Sequence, residues 1–324
     1  MPKSRIAIVG LGLIGGSMGL AIKQAKLDVE IIGHDKDMGV AGRAQKRGAV
    51  DATKWNLIDA CSGAGLIILA LPIDGIKDTL AALKPNLAPG VVVTDTATSK
   101  TPVLEWAQDL PEGVHFIGGD PVLPPGRGTG QTGIDAADAG LFKDATYCLV
   151  PSKNAGAAAI DTLSSFATML GAKPYFIDAV EHDGLMTGVE HLPAAMALAL
   201  LAATVRSRGW REMSKLAGEN FRATTGLAPQ DAATAREQFF AHRADLLRWI
   251  DDITSELGNL RGMLEREDAA ALEALVGPLA KERDKWLAGT SGEEESSSSA
   301  PAIQFNPARL FIGGLAERTP RKKN

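Results

Sequence analysis

The sequence predicts an α/β protein in which a doubly wound, largely parallel sheet over residues 1–178 is followed by an all-α domain over residues 179–289. Three observations predict it. Short β-branched runs alternate with helical patterns in the first half: RIAIVG, VEIIG, LIILALP, VVVTDT, HFIGG, TYCLVP and PYFID. Strands joined by crossover helices leave that alternation. After residue 178 the strand signal stops, and apolar residues recur at helical spacing, as in FFAHRADLLRWIDDITSELGNLRGML. The first strand-like run also ends in Gly10-x-Gly12-x-x-Gly15, a turn that joins a strand to a helix.

Composition narrows the function classes. The 324 residues are 45% hydrophobic and 23% charged, enough for one large or two ordinary cores. A net charge of −5 without a dense Lys/Arg stripe argues against a nucleic-acid partner. MPKSRIAIVG enters a strand directly, without the apolar segment of a secretory signal, so a cytoplasmic location is expected. Cys61 and Cys148 have no CxxC or Cys/His spacing, and neither a disulfide nor a metal site is expected.

Each element follows in chain order. At the first turn Gly10 bends the chain, Gly12 lets the backbone approach a pyrophosphate, and Gly15 lets helix and sheet pack closely. Leu13 and Ile14 open the helix, whose free N–H groups favour an anion. The second strand leads to Asp35, a carboxylate placed to accept ribose hydroxyls and repel a 2′-phosphate. A Rossmann-type domain that binds NAD rather than NADP is the reading. Leu71 and Pro72 after the LIIL strand, and Thr96 after VVVTD, should line the same crevice beside the nicotinamide.

The HFIGGDP run ends in Asp120, which a plain Asp-Pro turn would also explain. The LPPGRGTGQTG segment reads as a rim loop, with Arg127 the candidate to reach an anion. LPAAMALALLAATV (192–205) falls short of the ~20 residues of a membrane span. It reads instead as a buried helix covered by other helices, a second subunit's among them. Residues 290–324 open as a solvated linker and end in a tail whose apolar cluster is Phe305, Leu310, Phe311 and Ile312.

Taken in order, several motifs resemble the prephenate/arogenate dehydrogenase family of tyrosine biosynthesis. They are GLGLIGGS at the nucleotide turn, TDTATSK (94–100), FIGGDP, LF near 141, EHDGLMTGVEHLP (181–193) and FRATTGLA (221–228). The resemblance covers roughly residues 5–289. It implies a Rossmann domain and a helical dimerisation domain with the active site between them, a homodimer, and NAD as hydride acceptor. It further implies oxidative decarboxylation of a cyclohexadienol, with Ser99 and His191 in the catalytic set.

Asp120 stands where that family has its catalytic histidine, which hydrogen-bonds the ring hydroxyl while hydride leaves. Gly226 stands where the family usually has an arginine for a substrate carboxylate, so Lys100, Arg127 and Arg222 become candidate substrate cations. Ala194 replaces the last histidine of S-H-L-P-H. Glu190 precedes His191, and pairing of Asp120 or Glu190 to an ammonium points to an amino-bearing substrate, arogenate or an analogue. On a regular helix Asp183, Thr187 and Glu190 share a stripe with His191 beside it. His182 would then face away from His191, equally open to capping or solvating the helix start and to touching ligand. Two rival functions stand beside this one: a related dehydrogenase or imine reductase of a specialised metabolite, and an NAD-binding sensor that has lost catalysis.

Overall fold

The computed structural model describes residues 4–128, 132–229 and 232–289. The chain forms two compact units that divide between His182 and Asp183. The linker and tail proposed for 290–324, with the Phe305 cluster, lie outside the described residues.

The first unit is built on eight strands: β1 (Ser4–Val9), β2 (Val29–His34), β3 (Ala52–Thr53), β4 (Leu66–Leu69), β5 (Val92–Asp95), β6 (His115–Val122), β7 (Thr146–Pro151) and β8 (Lys173–Phe176). Their order is β3-β2-β1-β4-β5-β6-β7-β8. All neighbours are parallel except β6 and β7. A parallel return needs a crossover, usually a helix. Between β6 and β7 the described residues hold only a 3-10 turn, Ile134–Ala136, so β7 runs back beside β6.

Period-two alternation splits the core into two layers. Ile6 and Ile8 of β1 pack with Met18, Ile22, Leu66 and Ile68 on one face of the sheet. Ala7 and Val9 pack with Ile67, Leu69, Ile76 and Leu80 on the other. A strand covered on both faces has no polar side to show, which is why β1 and β4 read as continuous apolar runs. Strand order reverses at β1, whose neighbours are β2 and β4, and this switch point opens a crevice at the carboxyl ends of the strands.

Helices make up the second unit, chief among them Leu192–Val205, Arg243–Glu265 and Ala269–Leu287. The helix Ala179–Met186 leads into a π turn, Thr187–His191, closed by the Leu192 N–H donating to the Thr187 carbonyl. Pro193 follows directly and has no N–H for a regular i→i−4 bond, so a wider turn accommodates it.

Two expectations change here. The helix Leu192–Val205 is not buried within one chain: Ala197 is its one buried residue. Among the described residues, too few helices surround it to cover an element that is apolar nearly all round. With the preceding turns it forms a 27-residue helical run, Ala179–Val205, long and apolar enough by length and composition alone to cross a membrane. The π turn also breaks the predicted stripe. Asp183, Thr187 and His191 are buried at intervals of four, while Glu190 is exposed. An i→i+5 turn inserts one residue into the helical repeat, which moves His191 onto the buried face and Glu190 off it.

Candidate active site

The glycine turn behaves as its spacing demands. Gly10 has φ +90°, and a Cβ there would lie 2.1 Å from the Ala70 carbonyl oxygen. At Gly15 a Cβ would meet the Gly10 carbonyl oxygen at 1.9 Å, so helix Leu13–Gln24 can start this close to β1 only on glycine. A Cβ on Gly12, by contrast, would meet nothing within 4 Å. Open space thus lies beside the helix start, where Gly12 caps the helix without any side-chain acceptor. Those first-turn N–H groups and the dipole suit a pyrophosphate.

At the end of β2 the Asp35 carboxylate accepts the Leu11 N–H at 2.9 Å and the Asp37 N–H at 2.9 Å. Each oxygen therefore retains acceptor capacity for a ribose hydroxyl. Leu13, Ile14, Leu71 and Thr96 are partly buried and Pro72 is exposed. All stand at or just past the carboxyl ends of β1, β4 and β5. The residues present fit a dinucleotide.

Next along the sheet, a buried ion pair closes β5 onto β6. Lys100 Nζ lies 2.6 Å from Asp95 Oδ2 and donates to the Gly119 carbonyl at 2.7 Å. Asp95 also accepts the Ala97 N–H (3.0 Å) and the Gly119 N–H (3.2 Å). Neither side chain reaches solvent. Burial pushes the Asp95 carboxyl upward, and Lys100 with the two amides pulls it back.

The glycine pair before Asp120 exists for this network. A Cβ on Gly118 would press on Lys100 Cδ at 3.0 Å, and one on Gly119 would come within 2.7 Å of the Asp95 carbonyl oxygen and 2.9 Å of the Tyr147 ring. Gly119 directs its N–H toward β5, and Pro121, two residues on, points the same way. There β5 has already ended, so the missing proline donor costs no ladder bond.

Asp120 therefore sits inside a strand, paired with Cys148 of β7, and not in a turn. Its Oδ2 lies 3.2 Å from His182 Nε2, with both residues buried. This decides against a solvated helix start for His182. Phase along the helix could not show it, because a tertiary contact to β6 decides where the imidazole goes. Tyr147, fully buried beside them, has a phenol oxygen without a partner among the described residues. Its ionisation is pushed far up by burial and by the Asp95 and Asp120 carboxylates.

In the second unit His191 stacks on His242, with ring centroids 4.8 Å apart. His191 Nε2 is buried without a partner among the described residues. Burial, then His242, pushes the imidazole down to about 4 against the opposing pull of Asp183. Between about pH 6.5 and 4 the unfolded chain therefore binds a proton at His191 that the folded chain refuses. Stability is full above 6.5 and falls on acidification toward pH 4. Melting curves at pH 7.5 and 5 should show a smaller acid loss for His191→Gln than for the wild type. Equal losses would refute the assignment.

Lys100, Arg127 and Arg222 stand apart from the roles given them. Lys100 is no substrate cation, because its ammonium is enclosed and held by Asp95 and Gly119. Arg127 clamps its own loop by donating to the Gly140 and Lys143 carbonyls at 2.7 and 2.8 Å, two turn oxygens that need a donor. Arg222 pairs on the surface with Glu219 one helical turn away. Ser99 is buried in the loop after β5. Sequence reasoning does not single out Asp95, Tyr147 or His242, and it leaves His182 open between capping and ligand contact. The Asp-to-Lys spacing in TDTATSK and the adjacent EHD were the available signals.

Comparison with known proteins agrees with this fold. Residues 18–176 match the model of the prephenate dehydrogenase nucleotide-binding domain, and residues 178–277 that of its dimerisation domain. Prephenate dehydrogenase of Bacillus subtilis is 31% identical over 278 residues, 83% of this chain and 72% of its own. Cyclohexadienyl dehydrogenase of Zymomonas mobilis is 29% identical over 268 residues, 81% of this chain and 89% of its own. Synechocystis arogenate dehydrogenase superposes with a TM-score of 0.73 at 29% identity, covering 87% of this chain and 99% of that one. Prephenate dehydrogenase from A. aeolicus, solved with hydroxyphenyl propionate and NAD+, superposes at 0.76 over 89% of this chain and 99% of that one. At 22% identity, that likeness is one of fold. With both domains matched in order, the chain belongs to the prephenate dehydrogenase family of NAD-dependent oxidoreductases.

Proposed function

We propose that the chain oxidatively decarboxylates prephenate, with Asp120 as the group that takes the ring hydroxyl hydrogen bond. The observation that carries this is a buried carboxylate at the carboxyl end of β6, on the sheet edge that also bears the glycine turn and Asp35. NAD, when bound, accepts the hydride from the ring carbon that carries the hydroxyl. Asp120 holds the hydroxyl proton as that carbon becomes carbonyl-like, and returns it to the ring oxygen when the bond to the ring carboxylate breaks and carbon dioxide leaves. No net proton is consumed.

The case for an amino-bearing substrate weakens, since Asp120 already faces His182 and Glu190 lies off the buried stripe. NADH formation from NAD with prephenate and with arogenate tests the choice. Turnover with prephenate is expected to be the faster. Silence with both, alongside NAD binding, would favour the sensor or specialised-metabolite functions.

Asp35→Asn keeps an acceptor for the Leu11 N–H but removes the charge that repels a 2′-phosphate. The ratio of kcat/KM for NAD over NADP should fall roughly tenfold or more. An unchanged ratio would remove Asp35 from cofactor choice. The uncovered face of helix Leu192–Val205, continued by Leu247 and Ile250, suits a second copy of the chain, and this supports a homodimer with that helix in its interface.

A further inference from the structure

We propose that His182 is the positioning residue of Asp120, an imidazole set behind a carboxylate so that the carboxylate does the proton work. The inference rests on the dehydrogenase function proposed above. His182 Nε2 meets Asp120 Oδ2 at 3.2 Å, and the Asp120 side chain keeps 5% of its surface against 1% for the imidazole. Of the two, the carboxylate is the less enclosed.

Both partners are fixed from behind. Gly119 is held by Lys100 and Asp95, which sets the strand that carries Asp120. On the other side the His182 N–H donates to the Asp178 carbonyl at 2.8 Å, and the Asp178 carboxylate accepts the Val180 N–H at 2.8 Å, which pins the helix start. An Nε2–H donor on Oδ2 fixes the plane of the carboxylate, leaving Oδ1 as the acceptor for a hydroxyl. Tyr147 feels both Asp95 and Asp120, Lys100 pairs with Asp95, and the buried Asp183 adjoins His182 in the chain.

Two measurements on the full-length protein test this. With five histidines in the chain, 15N spectra of the imidazoles can be assigned by substitution. His182 Nε2 should carry a proton at pH 7 without any substrate, whereas a bare Nε2 would overturn the proposal. In kinetics, His182→Leu should lower kcat roughly tenfold to a hundredfold with KM within about threefold. His182→Gln, whose amide can still donate to Oδ2, should recover most of that loss. In an Asp120→Asn background His182→Leu should cost nothing further. Equal losses in both backgrounds, or no recovery with glutamine, would refute the positioning role. Should the wild type turn over neither cyclohexadienol, the functional proposal fails, and the spectra still decide the pair.

Discussion

Asp120→Asn lowers kcat for NADH formation by about a hundredfold or more while NAD binding stays near wild type. The asparagine occupies the same volume at the end of β6, between Gly119 and Pro121, and its carbonyl can still accept a hydrogen bond. It cannot take a proton. The loss should therefore fall on kcat and kcat/KM together, the signature of an interaction made in the transition state. Asp120→His offers an imidazole acceptor in place of the carboxylate and should be more active than the asparagine variant, despite the second imidazole beside His182. Steady-state kinetics with calorimetric NAD titrations check both. An asparagine variant with wild-type kcat would remove Asp120 from the chemistry.

Local features were legible in the sequence, and contacts between distant segments were not. Gly10, Gly12 and Gly15 have their roles within one turn, where spacing alone states the geometry, and Asp35 lies one strand away. The core layers were equally readable, because alternation in β1 and β4 fixes which residues share a face. Asp120 and His182 are 62 positions apart, and no period links them. Lys100 shows a subtler failure. A lysine in an active-site loop looks like a substrate cation until the fold reveals a buried carboxylate five residues before it. The stripe of Asp183, Thr187 and Glu190 failed for a local reason instead: a helix was assumed to keep its 3.6-residue repeat through a proline-adjacent π turn.

Lys100→Met should be the most damaging single substitution for stability. Methionine fills the space of the lysine stem but leaves Asp95 without its counter-ion in a fully enclosed site. Breaking a buried pair from one side typically costs about 3–5 kcal/mol. The pH dependence at this site should steepen in the direction it already has, because the Asp95 carboxyl is raised in the wild type too. Burial already pushes the Asp95 carboxyl upward, and Lys100 is the main force holding it back. Without the ammonium, the folded variant takes up a proton at a pH where the unfolded chain has released it. Its stability should therefore be greatest in acid and fall as pH rises through the elevated Asp95 ionisation. Asp95→Asn combined with Lys100→Met removes both charges and should recover much of the loss, since a neutral buried pair carries no uncompensated ion. Urea unfolding at pH 5 and pH 8 reads all of these effects. A Lys100→Met variant within 1 kcal/mol of wild type at pH 8 would mean that the ion pair does not hold β5 to β6. The placement of Asp120 would then need another support.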